Sequence, residues 1–223
     1  MKILFLLCFS SVLMFFDCSA NNHQQGKNNT VMTSDTDPQN SRAFKNKTGD
    51  VEYTLNAKVL KARAVAGNKA LADVVQISYE LKNTGAKNYL VYNRGHFGTN
   101  DSLVYVEPQP DGTIEISQKA FDEPRDRRCP QRFVAIVPNA SWLKSGQTIK
   151  NKIEVQLPLE RVTPFEDCTP LPAMPAEIKK VRFCLGIAEA DQNKVTITDQ
   201  GFVQNQQLVG KQELLCSDNI PLK

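Results

Sequence analysis

From Asp50 to the C-terminus, apolar and polar side chains alternate in short runs, the period-2 pattern of half-buried strands. Val51-Glu52-Tyr53-Thr54-Leu55 opens the series, and the pattern runs on toward Val59. Val75, Ile77, Tyr79 and Leu81 share one face, and Asn83-Thr84-Gly85 ends that strand as a turn. Tyr89 to Tyr92 is the next strand, closed by Asn93-Arg94-Gly95. Leu103 to Val106 and Thr113 to Ser117 flank Pro108-Gln109-Pro110-Asp111-Gly112, which predicts a hairpin. Further strands are predicted at Phe133–Val137, Ile149–Leu157, Val181–Ile187, Val195–Ile197 and Leu214–Leu215. About eight to ten short strands divided by Gly, Pro and Asn, with no amphipathic helix, predict an all-β antiparallel sandwich.

The residues before this pattern are of two kinds. Lys2 followed by a nearly unbroken apolar run from Ile3 to Phe16, then Cys18-Ser19-Ala20, reads as a signal peptide cut after Ala20. The run falls short of the roughly 20 residues a membrane-spanning helix needs. Cys18 opens an alternative, cleavage before a lipidated Cys, although Asp17 stands where that pattern wants a small residue. Residues 21–49 are rich in Asn, Gln, Lys, Ser and Thr and read as a flexible polar tether, which leaves 50–223 as one sandwich domain. The expected location is periplasmic or secreted, with a membrane-anchored lipoprotein as the alternative.

One stretch carries a resemblance. Val75 to Gly85, with its Lys82-Asn83-Thr84-Gly85 end, and the following Tyr89-Leu90-Val91-Tyr92 strand resemble a segment of bacterial immunoglobulin-like sandwiches. Trp142-Leu143-Lys144-Ser145-Gly146-Gln147-Thr148 is similar to their later Leu-x-Pro-Gly-Gln turn, with Ser145 in place of Pro. BsuPI-type proteinase inhibitors have the same order of elements. The resemblance implies an immunoglobulin-like topology. It brings no inhibitory residue, because the matched motifs are turn chemistry.

Cysteine use adds a cross-linked framework. Of six Cys, Cys8 and Cys18 lie in the signal region, leaving Cys129, Cys168, Cys184 and Cys216. An even set in an exported chain predicts two disulfides. Cys129 and Cys168 sit in Pro-flanked loops of opposite charge, and Cys184 and Cys216 in or beside strands, so we expect Cys129–Cys168 and Cys184–Cys216, giving a sandwich with long disulfide-tethered loops. No Cys-x-x-Cys is present, against a zinc or redox-active site.

Lys and Arg total 27 against 24 Asp and Glu, a net charge of +3 without a basic run, so nucleic acid is not an expected partner. Of two His, His23 is in the tether, and His96 lacks a nucleophile-elbow motif around Ser102 or Ser141. Asp122/Glu123 and Glu166/Asp167 are adjacent loop acids, and no phosphate-binding Gly loop occurs. The expectation is a non-enzyme without cofactor or metal. Two loops suit contact with a partner protein: Arg94, His96 and Phe97 between glycines, and the cationic Arg125, Arg127 and Arg128 beside Cys129. These features predict an exported envelope protein that binds another protein through its loops, as an accessory or assembly factor. The alternative is an inhibitor or immunity-type protein acting on an enzyme in the same compartment; a membrane contact enters only if Cys18 is lipidated.

Overall fold

A computed structural model describes residues 42–64, 71–96, 103–121, 136–166 and 171–222. All of these fall in the compact unit Thr36–Lys223. Of the predicted strand at Phe133–Val137, residues 133–135 lie outside them, and Ile136 and Val137 are irregular chain rather than strand. The Cys129–Cys168 pair and the residues before 42 also lie outside them.

Two sheets carry the alternation read from the sequence. The first contains β1 (Arg42–Thr48), β2 (Val51–Ala64), β3 (Leu71–Asn83) and β8 (Thr148–Gln156), antiparallel in the order β1-β2-β3-β8. The second contains β4 (Tyr89–Val91), β5 (Tyr105–Pro108), β6 (Ile114–Gln118), β7 (Ser141–Leu143) and β9 (Lys180–Glu189), with β12 (Glu213–Cys216) and β13 (Ile220–Pro221) also on β9. β10 (Thr196–Ile197) and β11 (Val203–Gln204) pair as a separate two-stranded sheet. The period-2 faces meet in one core: Val51, Tyr53, Leu55, Ile77 and Leu81 from the first sheet pack on Ile114, Ile116, Phe183, Leu185 and Leu215 from the second. Tyr79 stacks on Phe183 across the gap at 5.8 Å between ring centroids. Full burial of a Leu, Ile or Phe of this kind stabilises by roughly 2 kcal/mol.

Three features go beyond the alternation. β1 occupies residues that polarity places in the tether; its pairing with β2 runs through backbone groups, which composition does not record. β6 runs parallel to β9, Ile114 opposite Val181 through Gln118 opposite Leu185, so the sandwich is not wholly antiparallel. β4 then pairs antiparallel with the last residues of β9, Leu90 opposite Ala188. The Tyr92 N–H donates to the Gly186 carbonyl, which places β4 and β6 one after the other along a single edge of β9.

β12 and β13 hold the opposite edge of β9. Cys184 and Cys216 form the predicted disulfide there, on the side of β9 away from Phe183 and Leu185. The Ser217 N–H donates to the Phe183 carbonyl, which makes Cys184 and Cys216 a pair without mutual backbone hydrogen bonds. Opposed Cα atoms come closest at such pairs, 4.1 Å here.

The two turns that carry the family resemblance meet in space. The Asn83 N–H donates to the Gln147 carbonyl and the Gly146 N–H to that of Asn83, both at 3.0 Å. Gly146 has φ +73°, a conformation glycine adopts without strain. Ser145, standing where Pro is usual, gives its hydroxyl to the Gly85 carbonyl at 2.6 Å. Asn83 is fully buried. Its Nδ2 donates to the carbonyls of Lys87 (2.7 Å) and Leu143 (3.2 Å), and its Oδ1 accepts from the Gly85 N–H (3.0 Å).

Candidate functional site

Strand parity decides which surfaces remain for a partner. On β2, β3 and β8 the outward residues are polar, exposed on β8, half-buried on β2 and with Gln76 buried on β3, and several pair with one another. Lys150 meets Glu80 at 3.0 Å, Lys152 meets Glu154 at 3.1 Å, and Gln76 Nε2 donates to Glu154 at 2.7 Å. Such pairs contribute little stability, about 0–1 kcal/mol each, and keep this face wet.

The outward face of the second sheet is covered by the chain itself over β5, β6 and the middle of β9, whereas Leu214 on β12 stays exposed. Tyr105, Glu115, Ser117 and Cys184 point away from the core yet are buried. Phe121 lies edge-on to Tyr105 (4.5 Å) and to Phe165 (5.4 Å), with the Lys119 ammonium 4.9 Å from its ring centroid. Beneath this row, Glu115 accepts from Lys119 at 2.7 Å and from Arg182 at 2.7 Å, while Lys119 also reaches Glu107 at 3.1 Å. Burial alone drives the Glu115 carboxyl upward, but Lys119 and Arg182 outweigh it and hold it below its ordinary range. The Tyr105 phenol is pushed well up, first by burial and then by Glu107. At the β4 end of the same face, Val195, Val203 and Val209 close over Leu90, Tyr92 and Ala188, and Gln206 donates to the Tyr92 hydroxyl at 3.1 Å.

The predicted contact residues divide. Arg94 lies against Gly201: a Cβ there would meet the guanidinium at 2.6 Å, so the cation is laid flat on a glycine (φ +88°). His96 is half-buried, bridges Pro138, stacks on Tyr105 and shares a hydrogen bond between its Nδ1 and the Tyr105 hydroxyl at 2.7 Å. It is therefore bound into the covered face rather than carried on a free loop. Phe97, Arg125, Arg127, Arg128 and Cys18 lie outside the described residues. Ser141 opens β7, and Ser102 lies outside the described residues.

A cleft of about 550 Å³ opens where the β1–β2 turn faces the end of β9. Thr48, Tyr89, Glu189, Leu208, Lys211 and Glu213 are among its lining residues. Lys87 and Glu189 close a 2.6 Å ion pair on its wall. That hydrogen bond to Glu189 raises the Lys87 ammonium above its ordinary value. Burial, then the carboxylates of Asp50 and Glu189, raise Tyr89. Mixed charge around a partly apolar floor of Ile187 and Ala188 suits a polar chain or side chain rather than a greasy ligand. Sequence reasoning missed this cleft, because its lining comes from stretches far apart along the chain that only the sheet order brings together. It also missed the Glu115–Arg182 pair, which depends on a parallel register.

Among the described residues no group of three or more His, Cys, Asp or Glu could hold a metal ion. No described helix is long and apolar enough to cross a membrane. The disulfide fits an oxidising, non-cytoplasmic compartment. In comparisons with known proteins, the chain matches no family model and no curated protein.

Proposed function

We propose that this is an exported, non-catalytic protein whose sandwich binds another protein through its end loops and the adjoining cleft, as an accessory or assembly factor. The observation that carries this reading is the fate of the two broad faces. One is a wet field of ion pairs, and the other is buried under the protein's own loops over β5, β6 and the middle of β9. A partner is left with the loops at the sandwich ends and the cleft beside β9. The Ile3–Phe16 run before Ala20 supports export, and the Cys184–Cys216 bridge accords with it. Periplasm or secretion is the proposed location, with lipidation at Cys18 as the anchored variant. His96 is engaged with Tyr105, and the buried carboxylate Glu115 is neutralised by Lys119 and Arg182, which favours binding over catalysis.

A second reading, an inhibitor or immunity-type protein, has one observation in its favour. The 83–85 and 143–147 turns, which carry the resemblance to BsuPI-type immunoglobulin-like domains, are hydrogen-bonded to each other as parts of one structure. Both readings meet in one experiment. A photoreactive amino acid is placed at Lys87, Arg94 or Lys211, and at Lys150 on the ion-paired face, in cells that make the protein; adducts are identified by mass spectrometry. The proposal expects a discrete adduct from the first three positions and none from Lys150. Equal labelling at Lys150, or no adduct from any of the three, removes it. An adduct with an enzyme that the purified protein slows selects the inhibitor.

A further inference from the structure

β12 satisfies its backbone on one side. Its register on β9, Glu213 opposite Ile187 through Cys216 opposite Cys184, fixes which groups point where. Because Ser217 donates to Phe183, the residues hydrogen-bonded to β9 are the odd-numbered ones, including Glu213 and Leu215. The N–H and C=O groups of Leu214 and Cys216 therefore point away from β9, and among the described residues β12 has no second strand beside it. One exposed large apolar side chain lies on this strand, and another lines the cleft that its first residue, Glu213, also lines. Leu214 is 44% exposed and Leu208 is 51% exposed, two of the three such residues described, and Leu208 and Glu213 line the same cleft.

We propose that β12 is a docking edge that takes an extended segment of another protein as an additional strand of the second sheet. Four outward backbone groups at Leu214 and Cys216 call for an occupant with the same groups in strand geometry, which is a β-strand. Leu214 offers its side chain to an apolar residue of that strand, and the cleft behind Leu208 receives what the strand projects past Glu213. The disulfide holds β12 on β9, so the edge is fixed before the partner arrives, which lowers the ordering cost of binding. This edge adjoins the cleft in which the binding proposed above is partly placed, so the inference rests on that reading and names the mode of contact there.

Backbone pairing has a diagnostic variant. Leu214→Pro removes an N–H that points outward while sparing the ladder to β9; Leu214→Thr keeps that N–H and loses only the apolar side chain. The full mature chain is followed by amide exchange and NMR, with an acetylated, amidated octapeptide alternating Val and Thr as the probe at millimolar concentration. In the free protein the amides of Leu214 and Cys216 should exchange fast and those of Leu215 and Ser217 slowly. The probe should slow the first pair by about tenfold or more. Leu214→Thr should retain part of that protection at Cys216 and Leu214→Pro none, both with unchanged thermal unfolding. Protection of Leu214 and Cys216 before any probe is added would overturn the proposal, because the chain would then cover its own edge. So would a probe that leaves both amides unprotected, or a dimer in sedimentation that Leu214→Pro dissolves, since the occupant would then be a second copy. If Leu214→Pro unfolds the protein, the exchange pattern of the unmodified chain decides. Adducts from the cleft and loop positions together with an unresponsive β12 would remove strand addition and leave the broader binding reading standing.

Discussion

Replacing Asn83 by Ala tests how the two turns are held together. The Asn83 side chain is fully buried and makes three hydrogen bonds, two as donor to Lys87 and Leu143 and one as acceptor from Gly85. Ala leaves three main-chain groups at the junction without these partners. At about 1 kcal/mol for each net bond, the loss comes to roughly 3 kcal/mol. With a urea slope of about 2 kcal/mol per molar, the unfolding midpoint falls by about 1.5 M. The assay is equilibrium unfolding in urea under oxidising conditions, followed by the fluorescence of the single Trp, Trp142, and by circular dichroism. Asn83→Asp sharpens the test: it keeps the acceptor for Gly85 but loses both donations and buries a charge, so it should cost at least as much as Ala. A midpoint shift below about 0.5 M for Ala, at an unchanged slope, would refute the reasoning. So would a well-tolerated Asp, since the junction would then rest on the Asn83, Gly146 and Gln147 backbone bonds alone.

Three further outcomes are expected. Glu115→Gln should destabilise at neutral pH by about 2 kcal/mol through loss of its charged partners Lys119 and Arg182. Glu115 is held below its ordinary value of 4.5, so its stabilisation is complete above that value and is lost as pH falls through the lowered one. The gap in thermal midpoint between wild type and variant should therefore close on acidification, and a gap that widens would count against this. Gly186→Ala places a Cβ 2.2 Å from the Gln212 Oε1 and 3.1 Å from the Lys119 Cα. It should evict Gln212 from its two bonds to the Ala120 backbone, so Gln212→Ala should add little in the double variant, read by a double-mutant cycle in urea. Reducing Cys184–Cys216, or replacing both by Ala, should cost roughly 3–4 kcal/mol for a loop of 32 residues, measured by unfolding with and without reductant.

The strands that alternate cleanly, β3 and β9, were legible because one side of each faces the shared core and the other does not. The Cys184–Cys216 pairing was legible for the same reason: it put both sulfurs on strands, off the core side. What escaped depended on register. Glu115 sits between Ile114 and Ile116, and Arg182 between Val181 and Phe183; their outward direction follows from parity, but their meeting requires β6 to lie parallel to β9. β1 escaped because a backbone ladder leaves no apolar signature. The 83–85 and 143–147 turns were recognised as turns, yet their joining by Asn83 could not be read from either motif alone. His96 looked like a loop residue because nothing near it in sequence announces Tyr105 as its partner.

The arrangement around β9 also dictates a timetable. Its first-made neighbours, β4 and β6, are completed by Gln118, but the strand itself begins at Lys180 and its far side waits for residues 213–221. A chain released N-terminus first carries the edges of β4 and β6 unpaired for much of its length, a hazard for clumping with its neighbours. The far edge of β9 closes only with residues 213–221, so a chaperone that shields residues 89–118 should raise the yield of folded protein more than one that acts after Cys216 has emerged.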